Sequence, residues 1–433
     1  MDDLAVQFLL LNGDEADLFD NDESAQVLAA ALIAGIKISQ EESINTRNPH
    51  RLYLCRPQLL PNPRVDTPWQ VLYRSQNDRA FITTMGIDVD TFASLLTSGF
   101  AQRWYETPVP RNDVNQGGDP RIERRSLDAA GALGLVLHYL SSTMHAVSLQ
   151  QIFAIIPSTV TRYLHFGLNL LLLSLRTIRD ATIRWLEGPE FARCSALVVA
   201  RHSRLAGAFG SIDGLKLPVQ TSDDVDIENA TFNGWLSEHF ISSVLVFSAE
   251  GVVIAARMNA PGSWHDSRLA HQIYASLRDH TPPTYYIVAD TAFPRGTNDI
   301  HGRICVPLKQ GQCLQGSVAE IDERMAFNRE LLSYRQTAEW GMRGLQGAFG
   351  RLRVPLEIAN KEARGDLIEI CVRLHNLRAI RVGINQIRTV YLKCWQDTDD
   401  DAAVWQDFEN MLFSEQREKD RVSRYHVTLQ YLE

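Results

Sequence analysis

Tyr285 to Phe293 read YYIVADTAF: residues suited to a buried strand, an alanine, and then an acid, Asp290, where the strand should end. An aspartate at such a place can cap a turn by accepting backbone N–H bonds. It can equally serve as a ligand for a cation. One acid does not decide between the two, so the question passes to the acids on neighbouring strands and helices.

Working outward, the chain on either side alternates short strands and helices. FGSIDGLKLPV (209–219) reads as a strand interrupted at Asp213-Gly214. HFISSVLVFSAEGVVIAARMNA (239–260) reads as two strands joined at Ala249-Glu250-Gly251. PGSWHDSRLAHQIYASL turns at Pro261-Gly262 and enters a helix near His265, and RICVPLK (303–309) is a further short strand. After Gly316 the apolar residues take helical spacing through VAEIDERMAFNRELLSYRQTAEWGMRGLQGAFGRLRV, and GDLIEICVRLHNLRAIRVG is another helix. A hairpin followed by strands alternating with helices predicts an α/β or α+β domain with a mixed sheet.

The rest of the chain narrows the function. With 433 residues and 45% apolar residues it can bury a sizeable core, and its net charge of −9 makes it a poor general glove for nucleic acid, so any DNA contact has to be local. The six cysteines form no CxxC pair, which argues against a zinc ribbon and a disulfide scaffold and suits reduced thiols inside a cell. The acidic N-terminus does not read as a secretory signal, and no apolar run approaches the ~20 residues of a membrane span. An acidic stretch, 14–23, precedes an apolar helix that Ser24 can cap. The segment 47–70, rich in Pro, Arg and Asn, reads as a connector.

Between Ser126 and Arg179 a short helix with Ser148 as its cap, a tight turn and a second helix opened by Pro157, Ser158, Thr159 and Thr161 form a helix-turn-helix pattern. On that reading Thr159, Thr161 and Arg162 face a DNA groove; a plain helical bundle is the alternative. Four segments result: an N-terminal helical arm and linker (1–110), a helical, helix-turn-helix-like domain (111–200), the mixed-sheet domain (201–385) and a C-terminal helical and acidic tail (386–433).

Two further acids answer the question posed by Asp290. Asp213 lies on the first strand of the sheet domain and Glu339 on the helix that follows the last one. Two strand acids and one helix acid can meet at one sheet edge, where their mutual repulsion calls for a cation. Hard oxygen donors suit Mg²⁺ or Mn²⁺, and a two-metal site about 3.5–4 Å across serves phosphodiester displacement. The bland alternative for Glu339 is an ion pair with Arg335 or Arg343 at i±4 spacing. His265 and Asp266 at the start of a helix read first as a cap. Arg335, Arg343, Arg351 and Arg353 make either a solvated face or a phosphate-facing strip.

GSIDGLKLPV, APGSWHDSRL, YIVADTAFP with the following VPLK, FGRLRVPL and VRLHNLRAI, in this order between about Gly207 and Ala379, resemble the DDE-type transposases of the PIF/Harbinger group. The resemblance implies an RNase H-like fold whose carboxylates bind divalent metal, with Asp213 as the first acid, Asp290 as the second, and His265 and Asp266 as supporting residues close to the active site. It implies double-stranded DNA as substrate, a Myb-like partner protein and a nuclear location, although the chain has no compact basic import signal; the homo-oligomeric state stays open. This chain departs from the pattern at the third acid. The family glutamate lies three residues before the Phe-Gly pair, and Gln346 stands there; Glu339, seven residues earlier and about 10.5 Å along the helix, projects from nearly the same face and is the expected substitute. A metal-dependent endonuclease and strand transferase is the first reading. A host-retained derivative that binds DNA or protein without cutting is the second, and a structural scaffold the third.

Overall fold

The structure, a computed structural model, describes residues 32–35, 37, 54–110, 118–293, 300–309, 311–385 and 387, and the backbone of 426–429. The acidic stretch 14–23, the cap at Ser24, and most of the acidic tail lie outside these residues. The chain divides into two units, 1–55 and 56–433. In the first, Leu32–Gly35 and Lys37 are helical.

The second unit begins with helices: α1 (Pro68–Ser75), α2 (Asp78–Met85), α3 (Val89–Leu95), α4 (Ala101–Glu106), α5 (Ala129–Ser141), α6 (Ala146–Phe153), α7 (Pro157–Leu175) and α8 (Glu190–Arg201). Helix α5 is apolar nearly all round and buried on most of its surface, as a helix at the centre of a bundle must be. Asp128 caps it by accepting from the Gly131 N–H at 2.7 Å. Helices α6 and α7 meet at Ala154, whose φ of 51° makes the tight turn, and Pro157 occupies the first turn of α7. Ser148 is not the cap expected of it: α6 starts at Ala146, and Ser148 lies inside the first turn. One continuous apolar core runs from Trp69 and Phe81 among these helices through the sheet to Ile387.

The sheet follows with β1 (Ala208–Pro218), α9 (Val225–Thr231), β2 (Phe232–Asn233), β3 (Glu238–Ser248), β4 (Val253–Pro261), α10 (Asp266–Leu269), α11 (His271–Asp279), β5 (Tyr286–Ala289) and β6 (Ile304–Cys305). Strands β4, β3 and β1 pair antiparallel, and β5 and β6 extend β1 in parallel, so the sheet is mixed as expected, with β2 added at the start of β3. The sequence suggests a break at Asp213-Gly214, yet β1 passes straight through: Asp213 pairs with Leu245 and Gly214 with Val244. Both residues take extended backbone, and the glycine is needed for space, not for a turn. A Cβ there would lie 2.5 Å from an oxygen of Asp266. The hairpin between β3 and β4 turns at Ala249-Glu250-Gly251 as the sequence indicates, with Gly251 at φ 76°.

A short strand β7 (Cys313–Gly316) leads into the long helix α12 (Val318–Ala348) and then α13 (Lys361–Leu377). Ser317 and Glu320 open α12 with a reciprocal capping box, the Ser317 N–H donating to the Glu320 carboxylate at 2.9 Å. Leu331, Tyr334, Ala338, Gly341 and Leu345 form its buried stripe; each large apolar side chain so covered contributes about 1.5–3 kcal/mol. Helix α13 packs on β4 and α7. The backbone of His426–Leu429 forms strand β8, parallel to β7, in a segment the sequence reads as helical and acidic. Among the described residues no helix is long and apolar enough to cross a membrane.

Candidate active site

Side chains alternate along a strand, so Ser211 and Asp213 share one face of β1 while Ile212, Gly214 and Lys216 share the other. Helix α12 lies on the first face. The Ser211 hydroxyl meets the Thr337 hydroxyl at 2.7 Å inside this contact, and Thr337 in turn donates to the Tyr334 carbonyl. Opposite Ser211 in the sheet is Phe247, whose ring comes within 2.6 Å of where a Cβ on Gly341 would be, so only a glycine lets α12 approach this closely. These two contacts set the height of α12 over β1. Arg335 and Glu339, one turn apart, flank its buried stripe.

The second acid arrives through strand register. Ile212 and Ala289 are the last paired residues of β1 and β5, and Asp213 and Asp290 follow them on adjacent strands, whose spacing is about 4.8 Å. The sequence already ends β5 before Asp290; the Asp290 carboxylate accepts from the Thr291 N–H at 2.7 Å, the local turn bond expected of an aspartate there.

Arg335 joins the set. Its guanidinium lies 3.1 Å from Glu339 and 3.5 Å from Asp290, so one cation bridges the helix acid and the strand-end acid. The pair with Glu339 is the i,i+4 contact the sequence allows; the reach to Asp290 is not legible from spacing. Asp213 is pushed up to about 6, first by burial and then by the charges of Asp290 and Glu339, against the opposing pull of the Gly214 N–H, which donates to it at 2.8 Å, and of Arg335. Asp213 therefore feels both other acids and the guanidinium at once. Among the described residues no group of three or more His, Cys, Asp or Glu side chains is gathered closely enough to hold an ion.

Asp266 sits on the other side of β1, against Gly214. Burial raises its pKa, and Asp290 adds to the rise, while Lys216 and His265 oppose it. His265 is the cap of α10, its Nδ1 accepting from the Ser267 N–H at 3.3 Å, with the Ser267 hydroxyl 2.9 Å away. Asp290 at the strand end is the carboxylate whose charge acts on both Asp213 and Asp266.

The arginines expected to face phosphate part company. Arg343 and Arg353 are exposed. Arg351 stacks over the Tyr139 ring at 4.0 Å and reaches the Tyr139 and Met144 carbonyls, tying the turn after α12 to the end of α5. On α7, Thr161 is exposed and donates to the Pro157 carbonyl at 3.2 Å, while Thr159 and Arg162 are half-buried. Gln346 lies on α12 two turns beyond Glu339, on the same flank.

The motif VRLHNLRAI has a structural use that spacing does not reveal. Asn376 accepts from the Val253 N–H at 2.8 Å and donates to the Val253 carbonyl at 2.9 Å and the Thr182 carbonyl at 3.1 Å, standing in for a neighbouring strand at the edge of β4. His375 bonds the Gly251 carbonyl at 3.2 Å. Neither touches the carboxylates.

No curated protein and no solved structure matches the chain. Residues 212–376, which open one residue before Asp213, close on Asn376 and contain Asp290 and Glu339, match the model of the DDE superfamily endonuclease family.

Proposed function

We propose that the chain is a divalent-metal-dependent endonuclease of the transposase type, acting on double-stranded DNA through Asp213, Asp290 and Glu339. The observation that carries this reading is that one guanidinium, Arg335, pairs with Asp290 at a strand end and with Glu339 on a helix, while the charges of all three act on Asp213 of the central strand, within the span that matches the endonuclease family. A mixed sheet of three antiparallel strands extended by two parallel ones, with Asp213 on the central strand β1 and Asp290 just past the end of its parallel neighbour β5, supports an RNase H-like arrangement. The Harbinger group, with a Myb-like partner and a nuclear location, is the finer form of the same reading and rests on the ordered motifs alone.

The donor set suits the implied ions. Three carboxylates are hard oxygen ligands of the kind Mg²⁺ and Mn²⁺ take. Asp213, Asp290 and Glu339 would hold such ions once drawn closer than they stand here, and the ions would supply charge neutralisation to the attacking and leaving oxygens of a phosphodiester displacement. The chain's own contribution is orientation. Asp213 stands on the central strand, where the Gly214 N–H fixes one of its oxygens. Glu339 is held at the height set by the Ser211–Thr337 contact. Asp290 is anchored by the Thr291 N–H and is the carboxylate nearest solvent, 43% exposed.

A second reading, a derivative that binds DNA without cutting it, is favoured by Gln346 at the place of the family glutamate. Nicking of double-stranded DNA in Mg²⁺ or Mn²⁺ tests the two. The expected result is metal-dependent nicking by the wild type that falls by about two orders of magnitude or more in Asp290→Asn, with folding retained. A folded wild type that binds DNA and leaves it intact at every metal concentration supports the second reading and overturns the first.

A further inference from the structure

Arg335 is placed as few surface arginines are. It is 23% exposed, its Nε–H is buried with no acceptor, and its terminal nitrogens meet two carboxylates that come from different elements, Asp290 after β5 and Glu339 on α12. A simple helix-surface pair would engage Glu339 alone. Here the same guanidinium spans the gap between strand end and helix, and Asp213 feels it from the strand on the other side. A charge so placed offsets the repulsion among the acids. It also occupies the electrostatic position that a divalent cation bound by the same carboxylates would take.

We propose that Arg335 is a built-in counter-cation of this site, a positioning residue that holds Asp290 and Glu339 together in the resting protein and must swing aside before the carboxylates can take a divalent ion. The proposal rests on the metal-binding reading of the three acids. It has two consequences that a purely structural arginine would not have. Removing the charge weakens the metal-free protein, because the acids repel unopposed. The same change strengthens cation binding, because no resident charge competes. Arg335→Lys keeps a positive charge on a flexible stem and so leaves the competition largely in place.

The test is a Mn²⁺ titration of the full chain, by calorimetry and by melting temperature, for wild type, Arg335→Gln and Arg335→Lys, with circular dichroism to establish that each is folded. The expected result is Mn²⁺ binding roughly ten-fold or more tighter in Arg335→Gln than in wild type, a lower melting temperature in chelator, and a larger rise on adding Mn²⁺. Arg335→Lys should stay within a few-fold of wild type. If the wild type binds Mn²⁺ and Arg335→Gln binds it no tighter, Arg335 is not a competing cation and the inference fails while the metal site stands. If no folded form binds Mn²⁺, the metal-binding reading fails and takes the inference with it.

Discussion

The hydroxyls of Ser211 and Thr337, 2.7 Å apart in the contact between β1 and α12, stand two residues before Asp213 and two before Glu339. The pair is buried, and Thr337 already donates to the Tyr334 carbonyl, so Ser211 is the donor between them. This contact sets how α12, which carries Glu339, lies over β1, which carries Asp213.

The first prediction concerns that pair. Thr337→Val leaves the Ser211 hydroxyl buried without a partner and should cost about 1–3 kcal/mol. Replacing Ser211 by Ala as well removes the stranded donor, so the double variant should lose less than the sum. Urea unfolding of the four proteins gives the coupling energy; a value within about 0.3 kcal/mol of zero would mean that the hydroxyls do not set the docking of α12.

A second prediction follows from the raised pKa of Asp213. Its folded value, about 6, lies above the ordinary 3.8. Below about pH 4 the carboxyl is protonated in both states and carries no penalty. Between about 4 and 6 the unfolded chain gives up a proton that the folded chain keeps, so stability falls as pH rises and the penalty is complete above about 6. The shift corresponds to about 3 kcal/mol at most, less where solvent reaches the carboxylate. In chelator, Asp213→Asn should therefore be more stable than wild type at pH 7 and lose that advantage at pH 4, while abolishing nicking. Parallel stability profiles for the two proteins would contradict the shift.

The third acid can be decided by exchange. Glu339 takes part in the electrostatics of Asp213, whereas Gln346 carries no charge. Glu339→Gln should reduce metal-dependent nicking by orders of magnitude, and Gln346→Glu should change it little. Full activity in Glu339→Gln, or a large gain in Gln346→Glu, would move the third acid to position 346.

Asn376 provides a control remote from the carboxylates. Asn376→Leu strips the Val253 N–H and carbonyl of their partners and should destabilise the protein by about 2–5 kcal/mol. Mn²⁺ affinity of the fraction that remains folded should not change. A loss below about 1 kcal/mol would show that water or a shifted backbone replaces the clamp.

Contact of DNA with the start of α7 has a salt signature. If Arg162 neutralises a phosphate, Arg162→Ala should weaken binding and make the slope of log affinity against log salt shallower by about one unit. An unchanged slope removes Arg162 from the interface.

The sequence by itself determined the elements. Alternating and apolar runs marked β1, β3, β4 and β5, the Ala249-Glu250-Gly251 turn marked the hairpin, and the helical spacing after Gly316 marked α12, because each depends on residues within a few positions. It also marked Asp213, Asp290 and Glu339 as acids on strand, strand end and helix. Only the tertiary structure decided how these elements meet. The glycine of Asp213-Gly214 looked like a break because a local reading assigns glycine to turns; in the fold it makes room for Asp266, which lies over fifty residues away in the chain. Arg335 looked like a helix-surface partner of Glu339 because i,i+4 spacing is local, while its contact with Asp290 depends on the docking of α12 against β1 and β5. Arg351, a phosphate-facing candidate by its charge, is held by Tyr139 from another helix. Periodicity is written along the chain, but the distance between two charges is set by packing, and packing depends on contacts between residues far apart in sequence.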